Sequence, residues 1–257
     1  MRQSGPLPVE KESALQFGGE KRVTQAMEDY LKAAYRLEQD GGAVTTLRLA
    51  EELGFSGPSV TNMVKRLDDL KLVIHAPYHG IELTASGRKV ALEVIRHHRL
   101  LELYLATALG YDLEDVHQEA ERLEHHVSEA LEARMERVLD YPRFDPHGDP
   151  IPTRSGALPA IEDIALSALP VGTTGEISRV SDRDAEKLRF LAALGLTPGV
   201  ELTVRERLPF EGPIRVTVGA VDHLVPWAIA QSIRVSVSGT SDTDPDFGRE
   251  ASAPEPG

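Results

Sequence analysis

The sequence predicts a mainly α-helical chain that closes with a small β domain. Three observations carry this expectation. Apolar residues recur at helical spacing through most of the first 139 positions. The pattern changes to period two at Leu72-Val73-Ile74-His75 and again at Ile81-Glu82-Leu83-Thr84. Short runs punctuated by Gly and Pro follow from Gly175 onward and read as strands of a small barrel.

Residues 1–21 are polar and contain Gly and Pro, the composition of a disordered leader. Ala26, Tyr30, Leu31, Ala34 and Leu37 then mark a helix from Val23 to Gln39, stopped by Asp40-Gly41-Gly42. A short helix over about Thr46–Leu53 ends at Gly54. Ser56 is an N-cap and Pro58 a first-turn residue for a helix reaching about Leu70. The turn region His79-Gly80 joins the two period-two strands. Two long helices are expected next, over about Ala85–Leu109 and Leu113–Leu139. Tyr141–Pro159 reads as a linker. The strands expected after it are Gly175–Val180, Val200–Arg205, Ile214–Val218 and Ile233–Val237, and residues 239–257 read as a disordered acidic tail.

Composition removes several classes. The 257 residues suffice for a large domain or two to three small ones. No apolar run reaches membrane-span length, and the N-terminus lacks the apolar stretch of a signal peptide. The default expectation is therefore cytoplasmic. Cys is absent, which excludes disulfides and thiolate metal sites. The net charge of −13 is unevenly spread. Lys21–Arg96 holds 11 Lys/Arg against 10 Asp/Glu, a net of +1, which leaves −14 for the remainder. A near-neutral module can bind DNA when its cations share one face, and an acidic remainder suits the capture of cations.

Helix, short helix, tight turn, longer helix and hairpin is the order of a winged helix-turn-helix. Its recognition helix would present Ser56, Gly57, Pro58, Ser59, Thr61, Asn62 and Lys65 to the major groove. Asn62 can read adenine through two hydrogen bonds, and Pro58 can touch a thymine methyl. Ser59 and Thr61 can bond bases or phosphates. Lys65, Arg66 and His79 suit phosphate contact. Ser56 alone would be no more than a cap and Asn62 no more than an exposed polar residue; the element order gives them direction.

The two long helices carry a second constellation. His98 and Glu102 are four apart, and His117, Glu121, Glu124 and His125 stand at offsets 0, 4, 7 and 8. Each set shares one helix face. Any single member is compatible with solvated surface, but their coincidence points to a cation site. Oxygen and imidazole donors without sulfur suit Mn2+, Fe2+, Co2+ or Zn2+. The His-Glu-x-x-His pattern of zinc proteases and the Glu-x-x-His pattern of di-iron bundles are both absent, as are a Gly-rich phosphate loop and a nucleophile triad. No enzyme is expected.

On these residues the chain resembles the diphtheria toxin repressor and manganese transport regulator family. The matching stretches within residues 23–237 are Met27–Leu31, Ser56–Thr61, His97–Glu102, Glu121–His126, Pro146–Pro152 and Leu194–Gly199. The resemblance implies a winged helix-turn-helix over 22–84, a helical metal-binding and dimerisation domain over 85–141, a linker over 142–160, and an SH3-like barrel over 161–238. It implies a primary metal site at Asp29, Glu121, Glu124 and His125. An ancillary site is implied at His98, Glu102 and His117, with Asp184 and Glu186 as the barrel's contribution. Asp29 and Glu121 stand where iron-type members have Met and Cys, so Mn2+ is the expected metal, with Fe2+ the alternative and Co2+, Zn2+ or Cd2+ able to substitute in vitro. Manganese-type members carry a Glu one turn after the Asp, where this chain has Lys32; an ammonium cannot ligate, which argues against their binuclear arrangement. The partners implied are a palindromic double-stranded DNA operator and a second copy of the chain. The different-class alternative is a winged-helix regulator that senses a small molecule.

Overall fold

The computed structural model describes residues 23–76, 80–181 and 184–237. The expected leader, the tail and His79 lie outside them. By packing, the described residues fall into two units. One comprises those of Met1–His98 with Arg122–Ala133, and the other those of Arg99–Glu121 with Arg134–Gly257.

The first unit opens with α1 (Gln25–Gln39), whose core face is Met27, Tyr30, Leu31, Ala34 and Leu37. Gly41 and Gly42, with φ of 86° and 79°, turn the chain away from it. Helix α2 (Thr46–Leu53) begins where the Thr45 side chain accepts from Arg48 N, and ends at Gly54 in left-handed backbone. Helix α3 (Gly57–Asp69) begins at Ser56, whose side chain accepts from Ser59 N, with Pro58 in the first turn. Its buried residues Val60, Val64 and Leu67 keep helical spacing, so the opposite face is left to water. Helix α1 packs on α2, and α2 on α3. Strands β1 (Val73–Ala76) and β2 (Gly80–Leu83) pair antiparallel, Val73 opposite Leu83. Helix α4 (Ala85–Leu109) follows. Gly87 in its first turn lies against Leu72, where a Cβ would meet the carbonyl oxygen at 1.9 Å.

The helix expected over Leu113–Leu139 is instead three pieces. Helix α5 (Val116–Leu123) gives way to a 3-10 turn at Glu124–His126, Val127 is extended, and α6 spans Glu129–Val138. Ser128 supplies the restart: its hydroxyl accepts from Leu131 N at 3.2 Å. The turn carries two of the expected ligands off the helix face they were assigned to.

In the second unit, the segment read as a linker contains a built turn. The Asp145 carboxylate accepts from the N–H groups of His147 and Asp149, each at 2.9 Å. Phe144 and Pro150 bridge as isolated strand partners. The β domain is a six-stranded antiparallel sheet. Its strands are β3 (Ile164–Ala165), β4 (Thr174–Val180), β5 (Glu201–Arg207), β6 (Ile214–Val218), β7 (Val221–Val225) and β8 (Ile233–Ser236), in spatial order β3-β8-β4-β5-β6-β7. Its core includes Leu166, Ile177, Leu191, Leu202, Ile214 and Val235. Helix α7 (Ala185–Ala193), which the strand reading missed, and α8 (Trp227–Ala230) pack with it. The turn is seated on β4: Val180 N donates to His147 O at 3.0 Å, and Arg179 Nη1 lies 3.1 Å from Asp149 Oδ1.

Candidate metal centre and nucleic-acid interface

The exposed face of α3 begins with Ser56, Gly57, Pro58 and Ser59 and continues through Asn62 and Lys65. Thr61 is half-buried, and its hydroxyl donates to Gly57 O at 2.9 Å, so its remaining capacity is as an acceptor. The hydroxyls of Ser56 and Ser59 bond one another at 2.9 Å. Asn62 and Lys65 project from the same surface with no packing duty, the arrangement of a helix free to enter a groove.

Still within the first unit, Asp29, Glu124 and His125 each offer a ligand atom to a common point, all within 4.8 Å of one another. Asp29 comes from α1, and the other two come from the 3-10 turn. His125 Nε2 lies 2.9 Å from Asp29 Oδ1 and 3.5 Å from Glu124 Oε1. Its Nδ1 is held 2.6 Å from Glu28 Oε2. Burial pulls the imidazole pKa down, but the hydrogen bonds to Asp29 and Glu28 outweigh it and raise the pKa to about 10. A ligating imidazole must give up the Nε2 proton. Glu28, absent from the sequence-based set, would then fix the ring orientation through Nδ1. The available signal was general: a ligating His ordinarily gives its second N–H to a carboxylate.

Glu124 is fully buried, and His98 Nδ1 lies 2.6 Å from its Oε2. Lys32 Nζ donates to both oxygens of Glu124, at 2.8 and 2.7 Å. His98 thus also neighbours Glu124 and Lys32, one turn ahead of Glu102 along α4.

The second unit holds further donors. His117 Nδ1 is 3.1 Å from Glu102 Oε1, and its Nε2 is 3.8 Å from Glu121 Oε1 on the same α5. Glu121 is counted in this unit. Glu102, Asp145 and His147, all buried, offer ligand atoms within 4.8 Å of one another. Burial, with Glu102 and Asp149 nearby, pushes the Asp145 carboxyl well above its ordinary pKa, against the opposing pull of Arg99 and His147. Asp145 and His147 were missed because they lie in a segment whose Pro and Gly content reads only as loop.

Asp184 and Glu186, the barrel donors expected by resemblance, join no donor group among the described residues. Asp184 is the N-cap of α7, its Oδ1 accepting from Glu186 N at 3.0 Å and Lys187 N at 3.1 Å. Glu186 is exposed in the first turn. Their acidity serves the positive end of a helix.

An exposed recognition helix coupled through α1 to an oxygen- and nitrogen-donor group defines a metal-sensing DNA-binding protein. Comparison with known proteins agrees. Residues 22–81 match the iron dependent repressor N-terminal DNA binding domain. Residues 84–153 match the iron dependent repressor metal binding and dimerisation domain, and residues 164–237 match the FeoA domain. The iron-dependent repressor IdeR of Mycobacterium tuberculosis is 34% identical over 225 residues, covering 83% of this chain and 97% of that protein. The diphtheria toxin repressor of Corynebacterium diphtheriae is 39% identical over 132 residues, covering 51% of this chain and 58% of that one. Among solved structures, a manganese-dependent transcriptional repressor in complex with manganese superposes with a TM-score of 0.78 at 38% identity, covering 82% of this chain and 99% of that one. The manganese regulator SloR gives a TM-score of 0.69 at 31% identity, covering 82% and 98%. The chain belongs to the diphtheria toxin repressor family of metal-dependent transcriptional repressors. No described helix is long and apolar enough to cross a membrane.

Proposed function

We propose that this repressor responds to manganese, acts as a homodimer on a palindromic operator in the cytoplasm, and catalyses no reaction. The observation that carries the reading is the convergence of Asp29, Glu124 and His125 on one point. Two carboxylates and an imidazole without sulfur form a donor set that suits a hard-to-borderline divalent cation. When bound there, the cation supplies positive charge that all three donors share.

The chain's own residues do the rest. Asp29 stands on α1, which packs on α2 and through it reaches α3. Glu124 and His125 stand on the 3-10 turn. Donors drawn together from both elements hold α1 at a fixed distance from that turn, and so hold the recognition helix in one pose. In a dimer that pose sets the spacing of two recognition helices against successive turns of the major groove. Ion affinity and operator affinity are then reciprocally coupled, typically by about 1–3 kcal/mol. Glu102, His117, Asp145 and His147 form a second donor group, seated on β4 through the turn at 145–149. We assign it a supporting metal-binding role.

Iron is the second reading, favoured by the iron-dependent repressors among the relatives. A duplex selected from a random-sequence pool in the presence of Mn2+ provides the probe. Mobility-shift titrations with Mn2+, Fe2+, Co2+ and Zn2+ then rank the metals. The manganese reading expects half-saturation of DNA binding at lower free Mn2+ than Fe2+ under anaerobic conditions, and the reverse order would establish iron.

A further inference from the structure

Glu124 has a fixed cation already bonded to it. Lys32 Nζ reaches both carboxylate oxygens, at 2.7 and 2.8 Å, and comes within 3.4 Å of His98 Nδ1. The lysine side chain is 4% exposed, that of Glu124 0% and that of His98 2%. His98 Nδ1 can serve only one of its neighbours through a hydrogen bond. The 2.6 Å contact to Glu124 Oε2 is that bond, and the ammonium stands next to it as a charge. Lys32 follows Asp29 by three residues on α1, so both reach the 3-10 turn from the same helix face. A carboxylate with both oxygens on one cation is the geometry of a bidentate metal ligand in which the cation belongs to the chain.

We propose that Lys32 is a tethered cation that occupies the place of a second divalent ion, limiting the Asp29–Glu124–His125 group to a single ion. The inference rests on the reading that those three residues hold an ion. Two consequences separate it from an ordinary buried ion pair. The ammonium neutralises Glu124 before any metal arrives, so the metal-free pocket stays folded and preset. It also repels an incoming divalent ion across a shared carboxylate, which weakens the first ion and excludes a second. Glu124 still has a lone pair to offer on Oε1, which takes Lys32 alone, whereas Oε2 takes both Lys32 and His98.

The experiment counts ions. Full-length wild type, Lys32→Glu, Lys32→Met and Asp29→Ala are saturated with Mn2+, and the ions bound per protomer are read by native mass spectrometry. Mn2+ affinity is read by the electron paramagnetic resonance signal of the free ion. Lys32→Glu, which adds a carboxylate beside Glu124 and His98, is expected to bind one more Mn2+ than wild type; an equal count overturns the proposal. Lys32→Met keeps the side chain's length and apolar stem without its charge, and covers the case in which two buried carboxylates do not fold. It is expected to keep the wild-type count, bind Mn2+ at least tenfold more tightly, and melt lower than wild type when metal-free. Unchanged or weaker Mn2+ binding in Lys32→Met overturns the proposal. If Asp29→Ala loses no ion, the underlying site reading fails and takes the proposal with it. If Asp29→Ala loses one ion while Lys32→Glu gains none, only the role of Lys32 fails.

Discussion

At the residue scale, the first unit uses buried ion pairs of two kinds. Around His125 and Glu124 the charges belong to the proposed ion site. Arg96, His97 and Glu132, by contrast, form a structural pair set: Arg96 Nε is 2.7 Å from one Glu132 oxygen, and His97 Nε2 is 3.3 Å from the other. Burial raises the Glu132 pKa, but His97 and Arg96 more than offset it and hold the carboxyl at about 2. A folded-state pKa below the unfolded value stabilises the protein above the ordinary carboxylate pKa, and that stability is lost as pH falls through the folded one. Chemical denaturation at several pH values should therefore show wild type more stable than Glu132→Gln at neutral pH. The gap should shrink as pH drops from about 4.5 towards 2. The identities of Asp29, Glu124 and His125 were legible from residue type and from resemblance. The parts played by Glu28 and Lys32 were not, because each depends on which atom of a distant turn it meets.

At the element scale, the helices and hairpin of the first unit were legible because local signals agree. Gly54 closes α2, Ser56 opens α3, and Val60, Val64 and Leu67 repeat at the helical period. The break at Glu124–His126 was hidden because apolar periodicity continues across it; the turn is held by contacts of His125 with Glu28 and of Glu124 with Lys32. In the β domain, β7 escaped notice as a short edge strand with most of its residues outside the core. Helix α7 is a nine-residue insertion between β4 and β5, too short for its period to stand out. The turn at 145–149 is hidden in a segment whose Pro and Gly content reads only as a linker. Gly148 there has a φ of +87°, and a Cβ would lie 1.8 Å from Ser178 O. Gly148→Ala is therefore strained in its backbone and blocked by β4 at once. A loss of at least about 2 kcal/mol is expected in calorimetric unfolding. A wild-type transition would show that the turn is not seated on β4.

At the scale of the whole molecule, the order of matched domains agrees with the fold class read from the sequence: DNA-binding helices, a helical metal-binding segment, then a small antiparallel sheet. Packing draws a different line, however. Arg122–Ala133 belongs with the DNA-binding helices although it lies downstream of α4 in the chain. That assignment matters, because the turn bearing Glu124 and His125 is built into the same unit as Asp29 and the recognition helix. Sequence order alone could not reveal it, since the grouping arises from α1 meeting a turn 97 residues away. An ion held by Asp29, Glu124 and His125 is proposed to govern DNA binding, and the most direct test compares operator affinity with and without metal in wild type and Asp29→Ala. Wild type should bind the selected duplex at least tenfold more tightly with saturating Mn2+ than with chelator, as about 1.4 kcal/mol of coupling requires. Asp29→Ala should keep the metal-free affinity and lose most of the gain. Full metal stimulation in Asp29→Ala would contradict the account.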